Sequence, residues 1–225
     1  MPTPMHLKAS FYPECYYHIV CKSIDGLLLF TDEIDFRVFK ERFHFYTSGF
    51  IDVYSYSLLN NHTHHVVKVK SLKAVEQHII TLPDSIKTVA MNAFLQNPKD
   101  EKIVDQIIER QMNSFLVSFA RYVNGRFTRK GGLFQKPFKR VEISGESHLQ
   151  QAIIYVHANV QKHGLLDDFK LHTQSSYKEI INRNNTFVQV EGVINFFGTL
   201  DKLQNIHQEL VNYFYRENWP NSKLE

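Results

Sequence analysis

Three histidines fall within four consecutive positions of the stretch "LLNNHTHHVVKV", residues Leu58 to Val69. In an extended strand His62 and His64 point to the same side, with Cα atoms roughly 6.5 Å apart. Both imidazoles can then reach one divalent ion if a third ligand comes from elsewhere, while His65 points to the opposite side. Further along, "AIIYVHANVQKHG" carries Tyr155 and Asn159. At i and i+4 on a helix they lie on one face, about 5–6 Å apart between Cβ atoms, so a phenol and an amide oxygen converge. Two imidazoles and one amide oxygen suit Mg²⁺ or Mn²⁺ with positions left open for a phosphate, whereas zinc more usually draws a cysteine or a third histidine. Taken separately, each motif also fits a plainer role: surface or core histidines on the strand, and a half-exposed tyrosine on the helix.

The surrounding pattern supplies elements that could position these groups. "CYYHIVCKSI" (15–24) is β-branched and aromatic and reads as a strand; "TDEIDFRVFKERFHFYTS" (31–48) opens with capping-type residues and has helical apolar spacing. "FIDVYSYSLL" (50–59) alternates as a half-buried strand, "NNH" reverses the chain, and "THHVVKVK" (63–70) returns as the second arm of a hairpin. "SLKAVEQHIITLP" (71–83) is a helix stopped by Pro83, residues 84–100 read as irregular or partly helical, and residues 101–127 form a long amphipathic helix. A further strand is expected within 131–143. The β-α-β-β-α-β order predicts an α+β, ferredoxin-like antiparallel sheet with helices on one face. In "SHLQQAIIYVHANVQKHG" (147–164), Ser147 and Gln150 suggest a capping box and Gly164 a stop. Leu149, Ala152, Ile153, Val156 and Val160 make its apolar stripe, and His148, Gln151, Tyr155, Asn159 and Lys162 a separate polar face. Residues 166–225, with two or three short helical stretches and no chemical motif, read as a helical C-terminal appendage to a core of residues 1–165.

Charge is concentrated in one place. "RYVNGRFTRKGGLFQKPFKR" (121–140) holds Arg121, Arg126, Arg129, Lys130, Lys136, Lys139 and Arg140 with no acid, so the remainder of a +3 chain carries a net charge of −4. Tyr122, Phe127, Phe134 and Phe138 interleave with these cations. Phosphate-attracting cations with stackable rings are what a single-strand nucleic-acid surface needs; a solvated hairpin with core phenylalanines is the alternative.

"NHTHHVVKV", "GGLFQKPFK" and "AIIYVHANVQKHGL", in that order and separated by short strand and helix units, resemble the REP-associated tyrosine transposases within the HUH single-strand transposases. The corresponding patterns run approximately N-H-U-H-hydrophobic, G-x-L-F-Q-x-x-[FY]-K and Y-[IV]-x-x-N-P-x-[RK]-x-G-[LI], and the likeness covers about residues 15–165. It implies that His62 and His64 are metal ligands, Asn159 the third ligand and Tyr155 the nucleophile of a metal-dependent endonuclease that cleaves and rejoins single-stranded, hairpin-containing DNA. Two positions depart from the pattern: Thr63 stands where an apolar residue is usual, and Val160 where proline often follows the asparagine. Neither removes a chemical group. Related HUH transposases are often dimers and the REP-associated branch more often monomeric, so the resemblance leaves a homodimer and a monomer both open.

A tyrosine hydroxyl, with a reference pKa of about 10, is a poor nucleophile at neutral pH, so an ion must polarise the scissile phosphate and stabilise the departing 3′ oxygen. The products are a 5′-phosphotyrosine and a free 3′-OH, and because one phosphodiester is exchanged for another the reverse attack can rejoin strands. No nucleotide cofactor is required, in accord with the absence of a G-x-x-x-x-G-K-[ST] loop. Two other readings stand beside this one: a non-catalytic protein that binds structured single strands through the same fold and basic strip, and a metal hydrolase using His62, His64 and His65 without Tyr155. With 225 residues the chain can bury a real core. Its two cysteines, Cys15 and Cys21, fall together in one strand, which suits a reducing, cytoplasmic setting rather than a disulfide scaffold. The sequence has neither a leader-like apolar segment at its start nor an apolar run long enough to span a membrane.

Overall fold

The computed structural model describes residues 7–184 and 187–216. Strands β1 (Tyr16–Lys22), β2 (Ile51–Leu59), β3 (His62–Val69) and β4 (Lys139–Ile143) form one sheet in the order β2-β3-β1-β4, with every neighbouring pair antiparallel. Helix α1 (Glu33–Thr47) joins β1 to β2; α2 (Leu72–Thr81), α3 (Val89–Gln96) and α4 (Glu101–Arg126) join β3 to β4. The expected ferredoxin-like order is therefore present. The hairpin turns on Asn60 and Asn61 alone, so His62 opens the return strand instead of belonging to the reversal. Residues 84–100 are partly helical, as their pattern suggests. Thr88 caps α3 by accepting the Met91 N–H, and Met91 and Phe94 are buried, so packing sustains a helix too short to persist by itself.

Strand alternation divides the sheet into two chemically different faces. Tyr17, Ile19 and Cys21 of β1 stand opposite Val67, His65 and Thr63 of β3. This face is covered by α1 and α4: His65 stacks on Phe43 with ring centroids 4.5 Å apart, and Phe115 meets Phe39 and Phe43 edge-on. The other face, with His18, Val20, Lys22, His62, His64 and Val66, lies under α5 (Glu146–Lys162). Helices on one face thus describes the βαββαβ unit, and α5 closes the opposite side.

Helix α5 departs from its expected one-sided pattern. Every residue from Ala152 to Val160 is buried, Tyr155 and Asn159 included. Of the predicted polar face, Tyr155 and Asn159 are buried while Gln151 stays exposed, and the segment beyond covers the outer side of the helix. That segment contains α6 (Tyr177–Ile181), α7 (Val190–Phe197) and α8 (Leu200–Arg216), with α7 and α8 packed on α5. It also pairs with the free edge of β2: the N–H groups of Leu58, Ser176 and Gln189 donate to the carbonyls of Gln174, Tyr56 and Val53 at 2.9, 3.0 and 2.8 Å. The suggested capping box is absent, because α5 begins at Glu146 with Gly145 at its N-cap, which puts Ser147 inside the first turn. Among the described residues no helix is long and apolar enough to cross a membrane.

The core contains several neutral imidazoles, which makes its stability sensitive to acid. Burial holds His65 at about 3 and His207 at about 4, and pushes His157 well below the ordinary imidazole range. In the unfolded chain the same rings take up protons near pH 6.5. The unfolded state therefore binds more protons below that pH, and stability is lost as pH falls from about 6.5 towards 4. Urea midpoints measured between pH 7.5 and 4.5 should be flat above neutrality and then drop, each such ring contributing about 1.4 kcal/mol per pH unit. His65→Phe, which places a phenyl ring among Phe39 and Phe43, should make that fall shallower by one ring's share.

Candidate active site between strand β3 and helix α5

The alternation of β3 brings His62 and His64 side by side, with ring centroids 5.0 Å apart. His64 is buried under α5 and His62 is half-buried beside it. Tyr155 descends from α5, its ring centroid 5.8 Å from that of His64 and edge-on to it. Asn159, one turn further along the helix, is fully buried, and neither Oδ1 nor Nδ2 has a hydrogen-bond partner. Nε2 of His64 is likewise without a partner. An imidazole nitrogen and a whole amide are thus left without protein partners on the strand and helix that carry the histidine pair and the tyrosine.

Other groups settle the character of these nitrogens. Nδ1 of His62 lies 2.7 Å from Oδ1 of Asn61. An amide oxygen accepts only, so Nδ1 of His62 carries a proton. Burial, aided by the neighbouring histidines, pushes His64 well below the usual imidazole range and keeps it neutral. Lys162 places Nζ 5.1 Å from the centre of the Tyr155 ring and 3.4 Å from its hydroxyl oxygen. His163, next in the chain, sets its ring 4.8 Å from that of His62.

His65 takes no part. Its Nε2 lies 3.1 Å from the Thr63 hydroxyl on the opposite face of the sheet. Among the described residues no three His, Cys, Asp or Glu side chains are placed to hold a metal, and the position of His65 excludes the hydrolase site built from His62, His64 and His65. The amide of Asn159, the expected third ligand, is buried without a hydrogen-bond partner, and its oxygen is of the type that such an ion would take.

The basic segment does not form one surface. Arg140 is 2% exposed, its guanidinium over the rings of Phe11 and Phe138 and paired with Asp105 and Glu109 of α4 at 3.4 and 3.2 Å. Arg126 is held by Asp32 and by the fully buried Asp35, and its pairing draws the Asp32 carboxyl down to about 2. Burial takes Arg140 out of the expected nucleic-acid surface, whereas Arg126 stays exposed while paired with these carboxylates. Arg129 donates to Asn124 Oδ1 at 3.1 Å. Arg121, Lys130 and Lys136 are exposed or half-exposed; Arg121 and Lys136 border a hollow of about 200 Å³ with Gly131 and Gly132, on the α4 side of the sheet. Lys139 belongs to the other face, opposite Val20, which pairs in turn with His64. Of the four rings in the segment, Phe134 and Phe138 are core, Tyr122 donates to Asp35 at 2.8 Å, and Phe127 is exposed.

Three contributors are not legible in the local sequence pattern. His18 lies 2.9 Å from His64, and Lys22 is exposed directly opposite His62. Both come from β1, distant in sequence, and only strand register brings them here. Lys162 is on the predicted polar face, and its spacing of seven from Tyr155, two helical turns, is the signal that could have found it.

A solved structure of a REP-associated tyrosine transposase bound to a REP hairpin shares this fold, with a TM-score of 0.56 over 83% of this chain and 88% of that chain, at 11% sequence identity. No protein-family model matches the sequence, and no curated protein aligns with it. The chain therefore has the fold of that transposase.

Removing the Arg140 cation leaves two carboxylates without their buried partner. Arg140→Met should cost about 3 kcal/mol in urea unfolding, whereas Lys136→Gln, on a solvated side chain, should leave the midpoint unchanged. Equal effects would return Arg140 to the surface.

Proposed function

We propose that this protein is a metal-dependent single-strand DNA transposase, a nicking and joining endonuclease that acts on hairpin-containing DNA through a 5′-phosphotyrosine. The observation that carries the reading is the approach of Tyr155 to the His62 and His64 pair, with the Asn159 amide unpartnered one turn further along the same helix. The fold shared with a hairpin-bound tyrosine transposase supports it.

His62, His64 and Asn159 would hold Mg²⁺ or Mn²⁺. When bound, such an ion supplies the positive charge that polarises the scissile phosphate and stabilises the departing oxygen. Tyr155 then attacks phosphorus through its hydroxyl oxygen; the bond from phosphorus to the 3′ oxygen breaks, and the proton given up by the phenol is balanced by one taken up at the new 3′-OH. Lys162 stabilises the phenolate during attack. With Lys22 and Lys139 on the same side of the sheet, it also offers the phosphate a positively charged approach. Burial of the pocket excludes water that would otherwise compete for the phosphotyrosine.

One observation favours the non-catalytic alternative, a protein that binds structured single strands without cutting them. Tyr155 is only 1% exposed, so a phosphate reaches its oxygen only if the cover over α5 or the mouth beside His62 opens. Tyr155→Phe separates the two readings. Wild-type protein with Mn²⁺ should convert a labelled hairpin oligonucleotide carrying single-stranded flanks into a denaturant-resistant, protease-sensitive adduct. The Phe variant should bind the same oligonucleotide within about twofold and form none. Cleavage by the Phe variant would make water the nucleophile; binding without an adduct in the wild type would select the non-catalytic protein.

The solvated cations yield a second test. Replacing Arg121, Lys130 and Lys136 with alanine should weaken binding across DNA sequences and flatten the slope of log affinity against log salt by roughly 0.7 for each single-strand phosphate that is no longer neutralised. An unaltered slope removes them from the interface.

A further inference from the structure

We infer that His18 of β1 is a positioning residue, which accepts the Nδ1 proton of His64 and thereby turns the bare Nε2 of that ring towards Tyr155 and Asn159. The inference rests on the metal reading of the pocket proposed above. Nε2 of His18 and Nδ1 of His64 are 2.9 Å apart, their rings are inclined by 12° with centroids 5.1 Å apart, and both side chains are buried. One hydrogen lies between the two nitrogens. If His18 supplies it, His64 carries its own proton on Nε2 and points a donor into the pocket, where it could hold no cation. If His64 supplies it, Nε2 is a lone pair. The second arrangement leaves the two strand histidines alike, because Asn61 fixes the Nδ1 proton of His62 in the same way. It also follows the general rule that a metal-binding histidine donates its other N–H to an outer partner.

The identity of that partner has a physical reason. A carboxylate in the place of His18 would be desolvated under α5, and its charge would favour the protonated imidazolium of His64, which cannot bind a cation. A neutral imidazole accepts the hydrogen bond without adding charge. His18 also touches the nucleophile, its ring centroid 5.7 Å from that of Tyr155 and nearly perpendicular to it. Residues of β1 thereby bear on both the ligand and the tyrosine.

Two variants and two readouts test this. His18→Phe keeps a ring against His64 and Tyr155 but removes the acceptor; His18→Gln restores an accepting oxygen. In metal-free protein labelled with ¹⁵N-histidine, His64 of the wild type and of His18→Gln should show the Nδ1–H tautomer, and His18→Phe should lose it. By calorimetric titration with Mn²⁺, His18→Phe should bind about ten- to a hundredfold more weakly, with His18→Gln recovering most of the difference. A wild-type His64 protonated on Nε2, or wild-type tautomer and Mn²⁺ affinity in His18→Phe, overturns the inference. So does an equal loss in both variants accompanied by lowered thermal stability, which would assign His18 to packing alone. Failure of wild-type protein to bind Mn²⁺ refutes the metal reading instead, and the tautomer measurement still decides the role of His18.

Discussion

Helix α5 can present Tyr155 and Asn159 to β3 only if it lies close against the sheet, and one buried chain of hydrogen bonds holds it there. Nδ1 of His207 donates to the Leu203 carbonyl at 2.8 Å, so its Nε2 must accept; His157 Nδ1 donates to it at 2.9 Å. Nε2 of His157 is then left to accept from the Ser176 hydroxyl at 2.8 Å, and Ser176 Oγ in turn accepts the Tyr56 N–H at 2.9 Å. Each ring then has one tautomer. The chain runs from α8 through α5 to strand β2, and every member is buried. A network so fully satisfied stabilises the interior, where a half-paired one would be costly. It requires neutral imidazoles, so the structure that seats the tyrosine also sets the acid limit of the fold.

The same interactions give the C-terminal segment its function. An exposed β2 would leave a row of unpaired backbone groups beside the pocket, an edge open to other strands. Gln174, Ser176 and Gln189 occupy that edge, while α7 and α8 cover the outer side of α5. The βαββαβ unit builds the histidine face, and the residues after it make that face an interior.

Legibility in the sequence follows the range of the interactions involved. The strands, the hairpin and the long helices announce themselves by local periodicity, and both H-x-H and Tyr-x-x-x-Asn are spacings internal to one element. The environment of α5 differs from its pattern because a one-sided hydrophobic stripe presumes solvent on the other side. Here His157 and Asn159 face buried partners or a ligand space, and their polarity gives no hint of depth. Charge misleads for a related reason. Counting cations in residues 121–140 cannot distinguish Arg140, whose acids sit on α4, from Lys136, which has water. His18 is invisible for the plainest cause: nothing in "CYYHIVCKSI" says which strand will lie beside it.

The electrostatics of the pocket reconcile its two expected occupants. Tyr155, Asn159 and Lys162 occupy the C-terminal half of α5, the negative end of its dipole. That end of a helix attracts a cation and repels a phosphate. Burial keeps positive charge off His64, so that ring would not repel a divalent ion placed there. A phosphate approaching the same place needs compensation, and Lys162 in the final turn, with Lys22 and Lys139 on the neighbouring strands, provides it. Were the lysines deeper, they would compete with the ion for the imidazoles; were they absent, the helix end would hold the DNA backbone away. Their half-exposed or exposed positions around a buried ligand set separate the two charges by depth. In the proposed reaction the cation would sit within and the phosphate outside, which is the ordering that an attack by Tyr155 would use.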